Sequence, residues 1–195
     1  MKRVLKKAMT IVVSLCIFMQ CSLSSSAATP RLSANYKLSA DMSNILIYMP
    51  EYTLATPAPF STIGAIMAGI NSWSDSSINL HFGSTSSYLS RVIFVHSTNN
   101  PSSGAVATAY RYYHVSSNQV VPWNDTCNWD CADIVPNEYY DYCYQSKVFS
   151  HETGHVLGLA HAIDDPYSIM QANYSDLVTS TPSIADRVTI YSMYS

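Results

Sequence analysis

Residues His151 to His161 read His-Glu-Thr-Gly-His-Val-Leu-Gly-Leu-Ala-His, the pattern H-E-x-x-H-x-x-G-x-x-H with every defining position filled. On a helix, His151 and His155 lie one turn apart and project from the same face. Their imidazoles can grip one ion. Glu152, beside the first ligand, can reach a water on that ion without binding the ion itself. Gly158 is placed to end the helix, because glycine accepts the left-handed backbone that a sharp exit needs. The turn brings His161 round as a third ligand. Three neutral imidazoles with one position left open make a catalytic zinc arrangement, not a closed structural one. Zinc activates its water towards neutral pH, and a neighbouring carboxylate takes the proton and hands it on to a leaving amine. Eleven residues that fix five positions are far more specific than the short pentad alone.

The long motif followed by a methionine resembles the metzincin signature. Met170 follows His161 in Tyr167-Ser168-Ile169-Met170 and matches the Met-turn beneath the metal. Within the metzincins the chain is most similar to a matrixin-type catalytic domain of the bacterial secreted kind, over roughly residues 42–195. The resemblance implies a zinc metalloendopeptidase. His151, His155 and His161 would hold one catalytic zinc, with Glu152 as general base and then acid. The fold implied is α+β and zincin-like: a twisted, mixed five-stranded sheet on two long helices, a cleft, and a small C-terminal lobe with a closing helix. It also makes Val106, Ala107 and Thr108 candidates for backbone contacts to an extended substrate, on the edge strand above the cleft. Tyr174 matches the tyrosine of the family's pocket wall.

The chain departs from the family at several points. Ala162 stands where matrixins carry serine, and Ala172 where they carry proline. Thr108 replaces a histidine of the family's structural zinc site, and no H-x-D cluster accompanies His81, His96 and His114, so no second zinc is expected. The spacing after Met170 does not suit a tyrosine ligand. Calcium could come from loop oxygens near Asn99, Asn100 or Asp125, but no calcium-loop pattern is present.

The first 28 residues read as a secretory signal peptide. Lys2, Arg3, Lys6 and Lys7 precede an apolar run from Ala8 to Met19, and Ser26-Ala27-Ala28 offers small residues for cleavage. Residues 29–42 are expected to be a loose N-terminal segment, and 43–195 the catalytic domain. The leader holds four of the ten basic residues and none of the thirteen acidic ones, so the rest carries 6 against 13, a net of −7. Such a chain suits neither nucleic acid nor an anionic membrane. No later stretch approaches a membrane span. A secreted, extracellular monomer acting on polypeptides is the expectation. Three cysteines remain, Cys127, Cys131 and Cys143. Export permits a disulfide, and Cys131–Cys143 or Cys127–Cys143 is expected.

Patterning predicts a strand over 44–49, a helix from Ser61 to Trp73, and strands over 78–82, 91–96, 104–113 and 119–121. Residues 123–137 read as an irregular loop, 138–157 as one long helix, and 181–191 as the closing helix. Two rival functions fit the same motif: a zinc-containing binding protein without turnover, and a hydrolase of non-peptide amides.

Overall fold

The computed structural model describes residues 36–50, 60–88, 92–116, 119–124 and 127–195. The expected leader, and residues 29–35 of the segment after it, lie outside the described residues. The rest of that segment is docked rather than loose. Leu38 is buried and pairs with Trp129 in a short parallel bridge.

Among the described residues six strands form one sheet: β1 (Ile45–Tyr48), β2 (Phe82–Ser84), β3 (Ile93–Val95), β4 (Ala107–Ser116), β5 (Gln119–Pro122) and β6 (Cys131–Pro136). Their spatial order is β2-β1-β3-β6-β4-β5. β1, β2, β3 and β6 run parallel to one another, and β4 runs antiparallel to both β6 and β5. Among the described residues three α-helices accompany the sheet: α1 (Phe60–Asn71), α2 (Ser146–Leu157) and α3 (Ile184–Tyr194). Alternate residues of the strands bury one face. Ile47, Ile93 and Ala132 stand in line across β1, β3 and β6, and they join Ile66, Ile70, Trp73, Phe149 and Val156 from the helix side in one core.

Four expectations need correction. The sheet has six strands, not five, because residues 131–136 form a central strand instead of loop. β6 is buried along most of its length, and such a strand shows a continuous apolar run with little alternation to mark it. The second strand starts at Phe82, since Ser76–Ile78 turn as a 3-10 helix capped by Asp75. The active-site helix begins at Ser146, not near 138, so it has only twelve residues. Asn137 causes this. Its buried side chain accepts from Asn100 N (2.9 Å) and donates to Asn100 O (3.0 Å) and Ala105 O (3.2 Å). An asparagine engaged this way draws the backbone into turns instead of a helix. Finally, no disulfide joins Cys127, Cys131 and Cys143. Cys131 lies in β6, and Cys143 sits in the turns that precede α2 rather than on the helix itself.

The strand that matters most for function is β4. Its partner β5 reaches only as far as Pro122, opposite Tyr112. Proline has no N–H to continue a ladder. Below Tyr112, β4 pairs with β6 on one side, and no described strand covers the other.

Candidate active site

α2 carries the first two histidines along a buried face that includes Val148, Phe149, His151 and Glu152. It ends where the sequence requires. Gly158 adopts φ 116°, and Gly158 N and Leu159 N both return to Gly154 O, at 3.1 and 2.9 Å. This left-handed exit swings the chain back, so His161 faces the helix it has just left. Nε2 of His155 lies 3.1 Å from Nε2 of His151 and 3.2 Å from Nε2 of His161. All three ligand atoms fall within 4.8 Å of one another.

Two backbone carbonyls fix which nitrogen carries the proton. His151 Nδ1 donates to Ile169 O at 2.7 Å, and His155 Nδ1 donates to Leu159 O at 2.8 Å. The Nε2 atoms of His151 and His155 then carry lone pairs, and His161 Nε2 closes on the same point. Neutral acceptors so close repel unless a cation sits among them. Tetrahedral ligands ~2.0–2.1 Å from zinc stand roughly 3.3 Å apart, close to the separations seen here. The protonation energetics agree. Burial lowers His151 to about 4 and His155 well below its ordinary value, and it lowers the more exposed His161 as well. Neutral imidazole is the form a metal takes.

Glu152 is buried at the same level. Burial pushes its carboxyl up to about 8, while the Ala109 N–H and the Arg111 guanidinium pull the other way. Met170 is fully buried, with its Sδ against α2 at Gly154. Its carbonyl accepts from Ala162 N at 2.8 Å, which ties the methionine turn to the chain just after His161. A Cβ on Gly154 would collide with Met170 Sδ and meet the Trp73 ring at 2.9 Å. Gly154→Ala is therefore expected to lower stability by about 1–3 kcal/mol, the usual cost of overpacking, in a urea-unfolding experiment. A variant as stable as the parent would show that the methionine shelf yields.

The site opens into a cleft of about 840 Å³. Gly104 to Ala109 form one wall, Gln171 to Ser175 and Leu177 the other, and His151, Glu152, His155 and His161 the floor. Val106, Ala107, Thr108 and Tyr174, all singled out from the sequence, line this one cleft. They do not present the same groups. Val106 O accepts from Asn137 N and Tyr112 O from Asp130 N, both towards β6. Antiparallel strands alternate the direction of their backbone groups. Val106 and Thr108 thus bond inward, while Ala107 and Ala109 aim N–H and C=O at the open edge. Tyr174 stacks on Tyr142 at 4.4 Å, and Lys147 Nζ lies 4.0 Å from the Tyr174 ring centre.

Four contributors escaped the sequence reading. Ala109 and Arg111 lie on β4 beyond the segment marked for substrate, although strand periodicity puts them in phase with Ala107. Tyr142 was hidden in a stretch read as helix. Asp186, fully buried on α3, carried no local signal beyond a helix-start pattern.

A helix turned by glycine so that three imidazoles converge, with a buried methionine turn tied to the chain just after the third, is the construction of metzincin-type metalloproteases. Sequence comparison places the chain within that class: a family model described as matrixin matches residues 64–195. The chain belongs to the matrixin family. No curated protein matches it.

Proposed function

We propose that the chain is an exported zinc endopeptidase that hydrolyses extended polypeptides as a monomer. One observation carries this reading. Three Nε2 atoms converge near a buried carboxylate, in a cleft walled by a strand edge that no described strand covers. His151, His155 and His161 would hold one zinc ion. When bound, zinc polarises the scissile carbonyl and activates water. The protein's own groups do the rest. The open N–H and C=O groups of Ala107, and the C=O of Ala109, accept a peptide as a further strand. Glu152 takes the proton from water as its oxygen attacks the carbonyl carbon, then delivers that proton to the amide nitrogen as the C–N bond breaks. Ala109 N–H supports the charged form of the carboxylate during this exchange. Tyr174 and Tyr142 form an aromatic wall for a substrate side chain. Met170 supports the ligand histidines from below.

The leader-like pattern of residues 1–28 supports export. No helix among the described residues is long and apolar enough to cross a membrane.

Chelation is expected to abolish cleavage of a denatured protein substrate, and added zinc to restore it. A peptide library and a panel of small amides assayed in parallel separate the rivals. Full zinc occupancy without turnover would leave a binding protein, and turnover of small amides alone would replace the peptidase reading.

A further inference from the structure

The C-terminal end of α2 is closed by side chains from three other parts of the chain. His155 O accepts from Arg111 Nε at 3.0 Å, Val156 O from Trp129 Nε1 at 2.9 Å, and Leu157 O from Tyr194 OH at 2.8 Å. The last carbonyls of a helix have no partner within it, so caps of some kind are required. Arg111 differs in kind from the other two. It brings a permanent positive charge to the negative end of the helix. Its guanidinium lies over the rings of Trp129 and Trp123, at 4.7 and 5.2 Å, and stacking of this sort fixes the plane of the fork. It also comes from β4, the strand that walls the cleft.

The alternation of β4 makes this consequential. Ala109 and Arg111 are two residues apart, so they share a face and an edge direction. Ala109 N–H faces the Glu152 carboxylate, and Arg111 Nε holds the carbonyl of His155. Glu152 and His155 are one helical turn apart. Strand and helix are thus tied at two successive points, and two ties prevent one element from sliding along the other.

We infer that Arg111 is a positioning residue: it clamps β4 to α2, keeping the Ala109 N–H on Glu152 and the open strand edge level with the histidines. The effect on rate rests on the proposed peptidase function, whereas the clamp itself can be measured without turnover.

The test compares Arg111→Met, which keeps the aliphatic stem and removes the fork, with Tyr194→Phe. The second removes another cap from the same helix end without touching β4. Both should melt earlier than the parent. With zinc saturating, kcat should fall about 10²-fold in Arg111→Met, the scale expected from misplacement of about 1 Å, and less than about threefold in Tyr194→Phe. In the chelated proteins, amide exchange at Ala109 should quicken in Arg111→Met and stay unchanged in Tyr194→Phe. Should Arg111→Met fail to fold, Arg111→Lys carries the same readouts with about a tenfold loss of kcat, since lysine keeps the charge but not the stacked fork. Equal losses of kcat in the methionine and phenylalanine variants, or unchanged Ala109 exchange in the arginine variant, overturns the clamp. A parent that cleaves no peptide overturns the peptidase reading instead, and the exchange experiment alone then decides the clamp.

Discussion

Replacing Glu152 with glutamine should abolish peptide hydrolysis and, in the same protein freed of metal, raise stability at pH 8. Loss of a general base and acid costs roughly 10²–10⁴ in rate. The stability gain follows from burial. The carboxyl titrates near 8 in the folded protein against an ordinary 4.5. Below 4.5 both states hold the proton, and the carboxyl behaves much as a neutral amide would. Between 4.5 and 8 the unfolded chain releases its proton and the folded chain keeps it, so the parent loses stability as pH rises. Above 8 the folded protein bears a buried charge, and the loss is complete. At ~1.4 kcal/mol for each pH unit across that window, the full difference is on the order of 5 kcal/mol. The buried histidines act in the opposite sense: their folded values are depressed, so their contribution is lost as pH falls from 6.5 through the folded values. They are common to both proteins and cancel in the comparison. Urea unfolding of chelated parent and Glu152→Gln, from pH 4 to 9, should give curves that meet at the acid end and diverge towards the alkaline end. Parallel curves would mean that Glu152 is ionised at little cost. The carboxylate would then be a group the fold accommodates, not one it strains to hold for a cation and a proton.

That strain is local in space but only partly local in sequence. His151, Glu152, His155 and His161 were readable because one helix turn and one glycine exit set their relation, and eleven consecutive residues encode both. Met170 followed from its short spacing. Ala109 and Arg111 reach the same site from β4, and their role depends on how a strand packs on a helix far along the chain. Strand alternation puts both in phase with Ala107, but it does not say that a helix end lies against them. β6 is poorly marked in the sequence because the run Ala132 to Val135 lacks the polar–apolar rhythm of a half-exposed strand. The expected disulfide failed for a related reason. Cysteine pairing depends on the distance and direction of Cβ atoms, which spacing along the chain does not supply. Pro136-Asn137 reads as a helix start signal, but the Asn137 side chain is engaged by Asn100 and Ala105 in the preceding loop, and α2 starts only at Ser146.

Asp186 is the contributor furthest from the motif, and removing it should weaken both the fold and the metal site. Its carboxylate accepts from Ser168 Oγ at 2.6 Å, from Ile169 N at 3.0 Å and from Ser183 N at 2.8 Å. The last bond is half of a capping box that starts α3. The first two reach the methionine turn, where Ser168 Oγ accepts in turn from Met170 N at 3.0 Å. Ile169, whose N–H is held by Asp186, offers its carbonyl to His151 Nδ1. A continuous path therefore runs from the start of the closing helix to the orientation of a ligand imidazole. Asp186→Ala orphans donors in a fully buried setting. At ~1–3 kcal/mol for an unsatisfied buried group and ~1 kcal/mol for a lost cap, a loss of about 3 kcal/mol or more is expected in urea unfolding. Partners that orient a metal-bound histidine are worth roughly 10–100-fold in affinity, so zinc competition titrations should show weakening of that size. Asp186→Asn separates the two effects. It keeps one acceptor oxygen but turns a donor towards either Ser168 or the Ile169 and Ser183 amides. Its zinc affinity should then track the loss at Ile169 more closely than the loss of overall stability. Normal zinc affinity in a destabilised Asp186→Ala protein would break the path at Ile169 and reduce Asp186 to a helix cap.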